Sequence, residues 1–288
     1  PMKMLLAIDG SDQSYEAVRA LKYLARAEEL HILHILDVPS PAYPMMVPEV
    51  AHELYTTIER TMREDGARLL DRIVSLLPMD CGPVTKHMEI GSPADRIVEY
   101  AAQHQIELIL VGARGLGPIK ERLIGSVSHR VLTFSKGAVL ILPNFVKSLK
   151  QVLLPLQGSQ DAERALVFLR QHPFREAVTI TALTVLPQTR PPWPVDAVAE
   201  REMEGQALRS AETFINSVAA DLKLMGYSTH AKSTLGVPVE AILQEAKAIS
   251  ADLLMMGSRG RHGLSRMVLG SVAHAVLHHA QCPLLVFH

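Results

Sequence analysis

Cysteine is almost absent: Cys81 and Cys282 are the two in 288 residues. Two thiols so far apart make no disulfide framework, and reduced thiols are expected, as in a cytoplasmic protein. No apolar run approaches the roughly 18 residues of a membrane span, so no membrane partner is expected. The opening Pro1 to Ile8 is apolar only up to Asp9, too short for the apolar segment of a signal peptide. An excess of one charge is missing too. Lys and Arg number 29 against 30 Asp and Glu, for a net charge of −1 with no long basic run. Affinity for a phosphate backbone comes from clustered Lys and Arg, so nucleic acid is excluded as the main partner. No Gly-x-x-x-x-Gly-Lys-Ser/Thr loop occurs, nor a recognisable base and metal carboxylate of the kind efficient phosphoryl transfer needs. Neither half places Gly-x-Gly-x-x-Gly after its first strand, which excludes a dinucleotide enzyme.

What the chain does contain is a repeat. Gly112-Ala113-Arg114-Gly115 is followed after nine residues by Gly125-Ser126, and Gly257-Ser258-Arg259-Gly260 after nine by Gly270-Ser271. The second copy lies 145 positions after the first. Each follows an apolar run, Leu108 to Val111 and Leu253 to Met256. A strand entering a glycine turn and then a helix start suits phosphate. Glycines let the backbone approach the anion, and the helix start offers unpaired N–H groups and a positive dipole end. With 48% hydrophobic residues each half can bury an ordinary core, and the length suits about two domains.

Apolar runs alternate with helical patterns in both halves. Strands are expected at Met4 to Ile8, Leu30 to Leu36, Val84 to Ile90, Leu108 to Val111 and Val139 to Leu142. Helices are expected over Ser14 to Ala27, Glu49 to Leu77, from Gly91-Ser92-Pro93 to about His104, and from about Ser126. The second half repeats this order, with Gly236-Val237-Pro238 again 145 positions after Gly91. Such alternation predicts parallel sheets with helices on both faces and ligands at the carboxyl ends of the strands.

Asp9 ends the first strand in Ala7-Ile8-Asp9-Gly10-Ser11. It can accept hydrogen bonds from a ribose or an adenine amino group, or it and Ser11 can simply cap the next helix. The second half has Gln157-Gly158-Ser159 there, and Gln brings no charge, so the two pockets are not equivalent. Ser126 and Ser271 are candidate phosphate donors; Arg114 and Arg259 either face the phosphates or form exposed ion pairs.

Asp9, Gly91-x-Pro93 and the doubled Gly-x-x-Gly-x9-Gly-Ser set resemble the universal stress protein family over almost the whole chain, in its ATP-binding subgroup. The resemblance implies two tandem Rossmann-like (adenine nucleotide alpha hydrolase-like) α/β domains, 1–146 and 147–288. Each would be a five-stranded parallel sheet of order 3-2-1-4-5 with ATP, with or without Mg, in its crevice. It places Asp9 on the adenosine, the backbone of Ile35 on the adenine, and Gly112, Gly115, Gly125 and Ser126 on the phosphates. The matching positions are Leu183 for the adenine, then Gly257, Gly260, Gly270 and Ser271. Gln157 departs from the pattern, so a half-functional pair is expected. The resemblance also implies pairing of the last strands, Val139 to Leu142 with Leu284 to Phe287, as an intramolecular pseudo-dimer, with further homodimers open.

The expected function is a nucleotide-dependent stress regulator or sensor acting on an unidentified protein partner. The alternatives are a nucleotide-independent interaction module and a slow ATPase or self-phosphorylating protein. His274, His278, His279, Cys282 and His288 crowd the last fifteen residues and raise a zinc site, against which a histidine-lined helix end is the stronger expectation. Trp193, among prolines, is expected to pack its loop onto the domain.

Overall fold

Short apolar runs become buried parallel strands, and the amphipathic stretches between them become the helices that cover those strands. The computed structural model describes residues 1–39, 47–113, 124–143, 145–187, 197–258 and 269–288. The chain divides into two units, Pro1–Pro143 and Asn144–His288. Unit 1 runs β1 (Lys3–Ile8), α1 (Asp12–Ala20), β2 (Glu29–Leu36), α2 (Pro48–Ser75), β3 (Val84–Ile90), α3 (Pro93–Gln103), β4 (Leu108–Gly112), α4 (Ser126–Phe134) and β5 (Ala138–Leu142). Unit 2 runs β6 (Gln151–Pro155), α5 (Ser159–Leu169), β7 (Thr179–Leu186), α6 (Ala197–Leu224), β8 (Ser228–Leu235), α7 (Pro238–Ala248), β9 (Leu253–Gly257), α8 (Ser271–His279) and β10 (Leu284–Phe287).

The strands of unit 1 stand side by side as β3-β2-β1-β4-β5, all parallel. Those of unit 2 stand as β8-β7-β6-β9-β10, again parallel. Both orders are 3-2-1-4-5, as the family resemblance implies. The first and fourth strands therefore send their following helices to opposite sides, which opens a crevice at their carboxyl ends.

β4, β5, β9 and β10 are buried throughout. Each Leu, Ile or Val sealed there contributes about 1.5–3 kcal/mol. Alternation along β2 shows that helices cover both faces. His34 lies against α2, where a Cβ on Gly66 would come within 2.8 Å of its ring, while His31 bonds Tyr100 of α3. The outer strands β3 and β8 are mostly exposed or half-buried, and Lys86 and Lys232 pair there with Asp71 and Glu245.

One element is shorter than its pattern. The helix expected over Ser14 to Ala27 ends at Ala20, tightens to a 3-10 turn over Leu21–Tyr23, and leaves as extended chain at Leu24. The Ala27 N–H is held by the Cys81 carbonyl at 3.1 Å, which draws the chain toward the start of β3. Gly82 makes that approach feasible: its φ is +102°, and a Cβ there would lie 2.3 Å from the Ala27 carbonyl oxygen.

Under α3 lies a cluster of titratable rings. His31 accepts at Nδ1 from the Tyr100 hydroxyl at 2.8 Å and donates from Nε2 to Glu29 at 3.1 Å, partners that fix its tautomer. His87 stacks on His31 at 5.6 Å, and His104 on Tyr100 at 4.1 Å. Burial, then the Glu89 and Glu29 charges, push the Tyr100 hydroxyl up to about 12, so it stays a donor. Burial, then the nearness of His31 and His104, lower His87 below its usual 6.5. The His31 hydrogen bond, then Lys3, lower Glu29.

Both depressed values mean that the unfolded chain binds protons before the folded one. The contribution of these two groups to stability is therefore full above about pH 7 and falls as pH drops through 6.5, with a further loss below 4.5 as Glu29 protonates. Urea denaturation across this range should show both declines, and His87→Phe should flatten the upper one.

Candidate functional site

The turn after β1 is built from three residues. Gly10 sits at φ +82°, which lets the chain reverse at once, and Ser11 caps α1 by accepting the Ser14 N–H at 3.3 Å. The Asp9 carboxylate accepts the Ser11 N–H at Oδ1, 2.9 Å away, so the turn uses one of its two oxygens. The cap is thus Ser11, and Asp9 is held rigid at the strand end. Beside it, His34 Nδ1 meets the Ile8 carbonyl at 2.9 Å.

Ile35 faces the same gap. Its neighbour Leu36 gives its carbonyl to Gly91 N–H on the β3 side. Successive residues of a strand address opposite neighbours, so the Ile35 backbone points toward β1, past its last registered pair, Ile8 with His34.

At the end of β4, Gly112 leaves room for α1. A Cβ there would stand 2.7 Å from Gln13 Cβ and 2.9 Å from its carbonyl carbon. The turn that follows is pinched at its neck: Gly125 N–H donates to the Ala113 carbonyl at 2.6 Å, and Ala113 N–H to Leu142 at 2.9 Å. The Ser128 hydroxyl, buried in α4, donates to the Gly112 carbonyl at 2.6 Å. Gly125 is the N-cap of α4 and supplies no side-chain cap, so the helix start keeps its N–H groups for another acceptor. Ser126, at that start, is exposed.

Unit 2 repeats the neck. Gly270 N–H donates to the Ser258 carbonyl at 2.8 Å, Ser258 N–H to Phe287 at 2.9 Å, and Gly270 caps α8 without a side chain. Ser271, the first residue of α8, is exposed. Arg114, Gly115, Arg259, Gly260 and Trp193 lie outside the described residues.

The register corrects one position. Gly236 N–H donates to Leu186 as Gly91 does to Leu36, so Val185, not Leu183, is the counterpart of Ile35. The Leu183 carbonyl is already taken by Leu156 N–H at 2.8 Å. The first strands are offset by 148 positions but the second strands by 150, because the path from the start of β6 to the start of β7 is two residues longer than that from β1 to β2. Leu183 follows from carrying the smaller offset forward.

The strand-end turn of unit 2 differs in kind. Gly158 is extended, with φ 174°, and α5 starts directly at Ser159. Gln157 N–H reaches Asp161 Oδ2, one helical turn on, at 3.4 Å. A Cβ on Gly257 would meet Asp161 Oδ1 at 2.6 Å and the Phe287 ring at 3.5 Å. Asp161 is 8% exposed, and burial pushes its carboxyl above the usual range against the opposing pull of Gln157 N–H and Arg164. Asp161 escapes a reading by motif. Its one sequence signal is that it stands 148 positions after Gln13, the offset of the first strands.

The C-terminal histidines do not converge with the thiol. His274 and His278 rings are 4.6 Å apart, while burial pushes the Cys282 thiol up to about 11. Among the described residues, no group of three His, Cys, Asp or Glu side chains is arranged to hold a metal ion. No described helix is long and apolar enough to cross a membrane. An open cavity of about 420 Å³ lies between α5 and α6, centred on Leu166, Val167, Phe214 and Val218.

The universal stress protein family pattern matches this chain twice, over residues 2–143 and 148–288. Universal stress protein YxiE of Bacillus subtilis is 33% identical over 147 residues, covering 49% of this chain and 97% of that protein. Universal stress protein Rv2623 of Mycobacterium tuberculosis is 27% identical over 298 aligned positions, 97% of this chain and 95% of its own. The crystal structure of a universal stress protein from Archaeoglobus fulgidus superposes with a TM-score of 0.63 at 22% identity, over 99% of this chain and 96% of that one, a likeness of fold.

The two strand-end glycines should respond unequally to alanine. Gly112→Ala drives its methyl into the backbone of Gln13 and should cost about 1–3 kcal/mol in chemical denaturation. Gly257→Ala meets the end of a side chain instead, so Asp161 can swing aside and the loss should be smaller.

Proposed function

Because the chain belongs to the universal stress protein family and carries its domain twice, we propose that it is a regulatory protein that binds ATP, with or without Mg, at the carboxyl edge of unit 1. The observation that carries this reading is a pairing of opposites across one crevice. Asp9 is fixed beyond β1 with one carboxylate oxygen committed to Ser11, while α4 begins beyond β4 with no side chain on its first N–H groups. A carboxylate suits the hydroxyl donors of ribose. An uncapped helix start, with its positive dipole end, suits phosphate. Between them the Ile35 backbone offers hydrogen-bonding groups at the level of an adenine edge.

The proposed assignment follows that geometry. Asp9 takes the ribose, Ile35 the adenine, and Gly112, Arg114, Gly115, Gly125 and Ser126 the phosphates. In unit 2 the phosphates fall to Gly257, Arg259, Gly260, Gly270 and Ser271. Occupancy of this edge changes the surface shown to a protein partner. Regulation rather than turnover is favoured by a sequence that holds no phosphate-loop lysine. A cytoplasmic location, where ATP is plentiful, belongs to the same proposal.

Gly125→Asp tests it directly. Asp is among the best N-cap residues, so the variant should melt at or above the wild-type temperature. Its carboxylate would nonetheless occupy the helix start and repel phosphate, and calorimetric titration with Mg-ATP should show the unit 1 site lost. Asp9→Ala should weaken ATP and AMP roughly ten- to a hundredfold while sparing inorganic triphosphate. Equal loss of triphosphate would reduce Asp9 to a turn residue.

A further inference from the structure

We propose that Asp161 does in unit 2 what Asp9 does in unit 1: its carboxylate receives the ribose diol of a nucleotide seated at the end of β9, so that unit 2 is a second binding site. The inference rests on the nucleotide reading of the preceding subsection and reverses the expectation, drawn from Gln157, of a half-functional pair.

The register supplies the first argument. Gln157 stands in the place of Asp9, and Asp161 in the place of uncharged Gln13, both 148 positions on. Each unit therefore keeps one carboxylate at its first strand–helix junction, moved by one helical turn. In both, one carboxylate oxygen ties down the turn: Asp9 Oδ1 takes the Ser11 N–H, and Asp161 Oδ2 takes the Gln157 N–H.

The remaining oxygen of Asp161 is placed with more constraint than that of Asp9. Oδ1 lies over Gly257, where a Cβ would come within 2.6 Å, so the carboxylate occupies space that a glycine alone leaves open. Gly257 is the residue from which the second phosphate turn departs, and the neck of that turn and the uncapped start of α8 match unit 1. A ligand seated on α8 would bring its sugar toward this strand end.

Solvation supplies the second argument. Asp161 is more than nine-tenths buried, and the hydrogen bond it accepts from Gln157 N–H is a long one, at 3.4 Å. A buried carboxylate that holds a long hydrogen bond gains from a further donor offered to it. The adjacent Ser258 hydroxyl, 3% exposed, has no hydrogen-bond partner among the described residues, where unit 1 has Ala113. Unit 2 thus places at the end of β9 one buried hydroxyl without a partner among the described residues, beside a buried carboxylate, where unit 1 has Ala113 and Gln13. A vicinal diol presents two O–H donors to a carboxylate. The Arg164 charge opposes in part the burial that raises the Asp161 carboxyl.

The test is calorimetric titration of the nucleotide-stripped full chain with Mg-ATP and with its 2′,3′-dideoxy analogue. Wild type, Asp9→Ala, Asp161→Asn and Asp161→Asn with Gln157→Asp would be compared. Wild type should show two sites, one sensitive to each aspartate. Asp161→Asn should weaken its site roughly ten- to a hundredfold for ATP but little for the dideoxy analogue, and Gln157→Asp should restore it. A single site, lost in Asp9→Ala and indifferent to Asp161→Asn, would overturn the inference and leave the unit 1 assignment standing. Equal wild-type affinity for ATP and its dideoxy analogue at the second site would overturn it without any variant. Absence of binding by any adenine nucleotide would overturn the nucleotide reading itself.

Discussion

The first helix of each unit can reach the fourth strand only where that strand carries no side chain. At Gly112 the backbone and Cβ of Gln13 fill the space a methyl group would take, and at Gly257 the carboxylate of Asp161 does so. That close crossing sets the end of β4 against the start of α1, and the end of β9 against the start of α5, so the carboxyl ends of the first and fourth strands lie together on one edge of each parallel sheet.

The same constraint leaves freedom elsewhere, and the two units have used it differently. Unit 1 secures its fourth strand with Ser128, whose hydroxyl holds the Gly112 carbonyl; the equivalent position in unit 2 is Ala273, and the hydroxyl appears at Ser258 instead. Unit 1 reverses its first turn through the positive φ of Gly10, whereas Gly158 is extended and Asp161 reaches back to steady the turn. Polar groups have moved between neighbouring positions while the neck bond between the turn's two ends has stayed, at 2.6 Å in one unit and 2.8 Å in the other.

Much of this was legible in the sequence because it depends on local features: apolar runs, glycine spacing, and helix starts at Pro93 and Pro238. The parts that escaped depend on register. Nothing in the period of His31, His87 and His104 announces that three elements bring their rings within 6.0 Å of one another, since their contact is set by how β2, β3 and α3 align. Leu183 was misplaced by two positions for the same reason. A repeat offset holds only between insertions, and a two-residue slip along a strand keeps the side chain on its face while moving the backbone groups one step inward, under the cover of β6. Asp161 was invisible because its role comes from touching a glycine nearly a hundred positions later.

The outermost strands carry a consequence of their own. β3 and β8 present an open row of backbone donors and acceptors, the kind of edge on which strands of other molecules add to make fibrils. Each carries a lysine within its run, Lys86 and Lys232, tethered to a carboxylate on a neighbouring helix. An incoming strand would have to bury that ammonium or break its tether. The Lys86–Asp71 pair is exposed and worth little to folding stability, and Lys232 is half exposed over a nearly buried Glu245; the weight of both falls on colloidal behaviour, since a charged edge resists the addition of further strands.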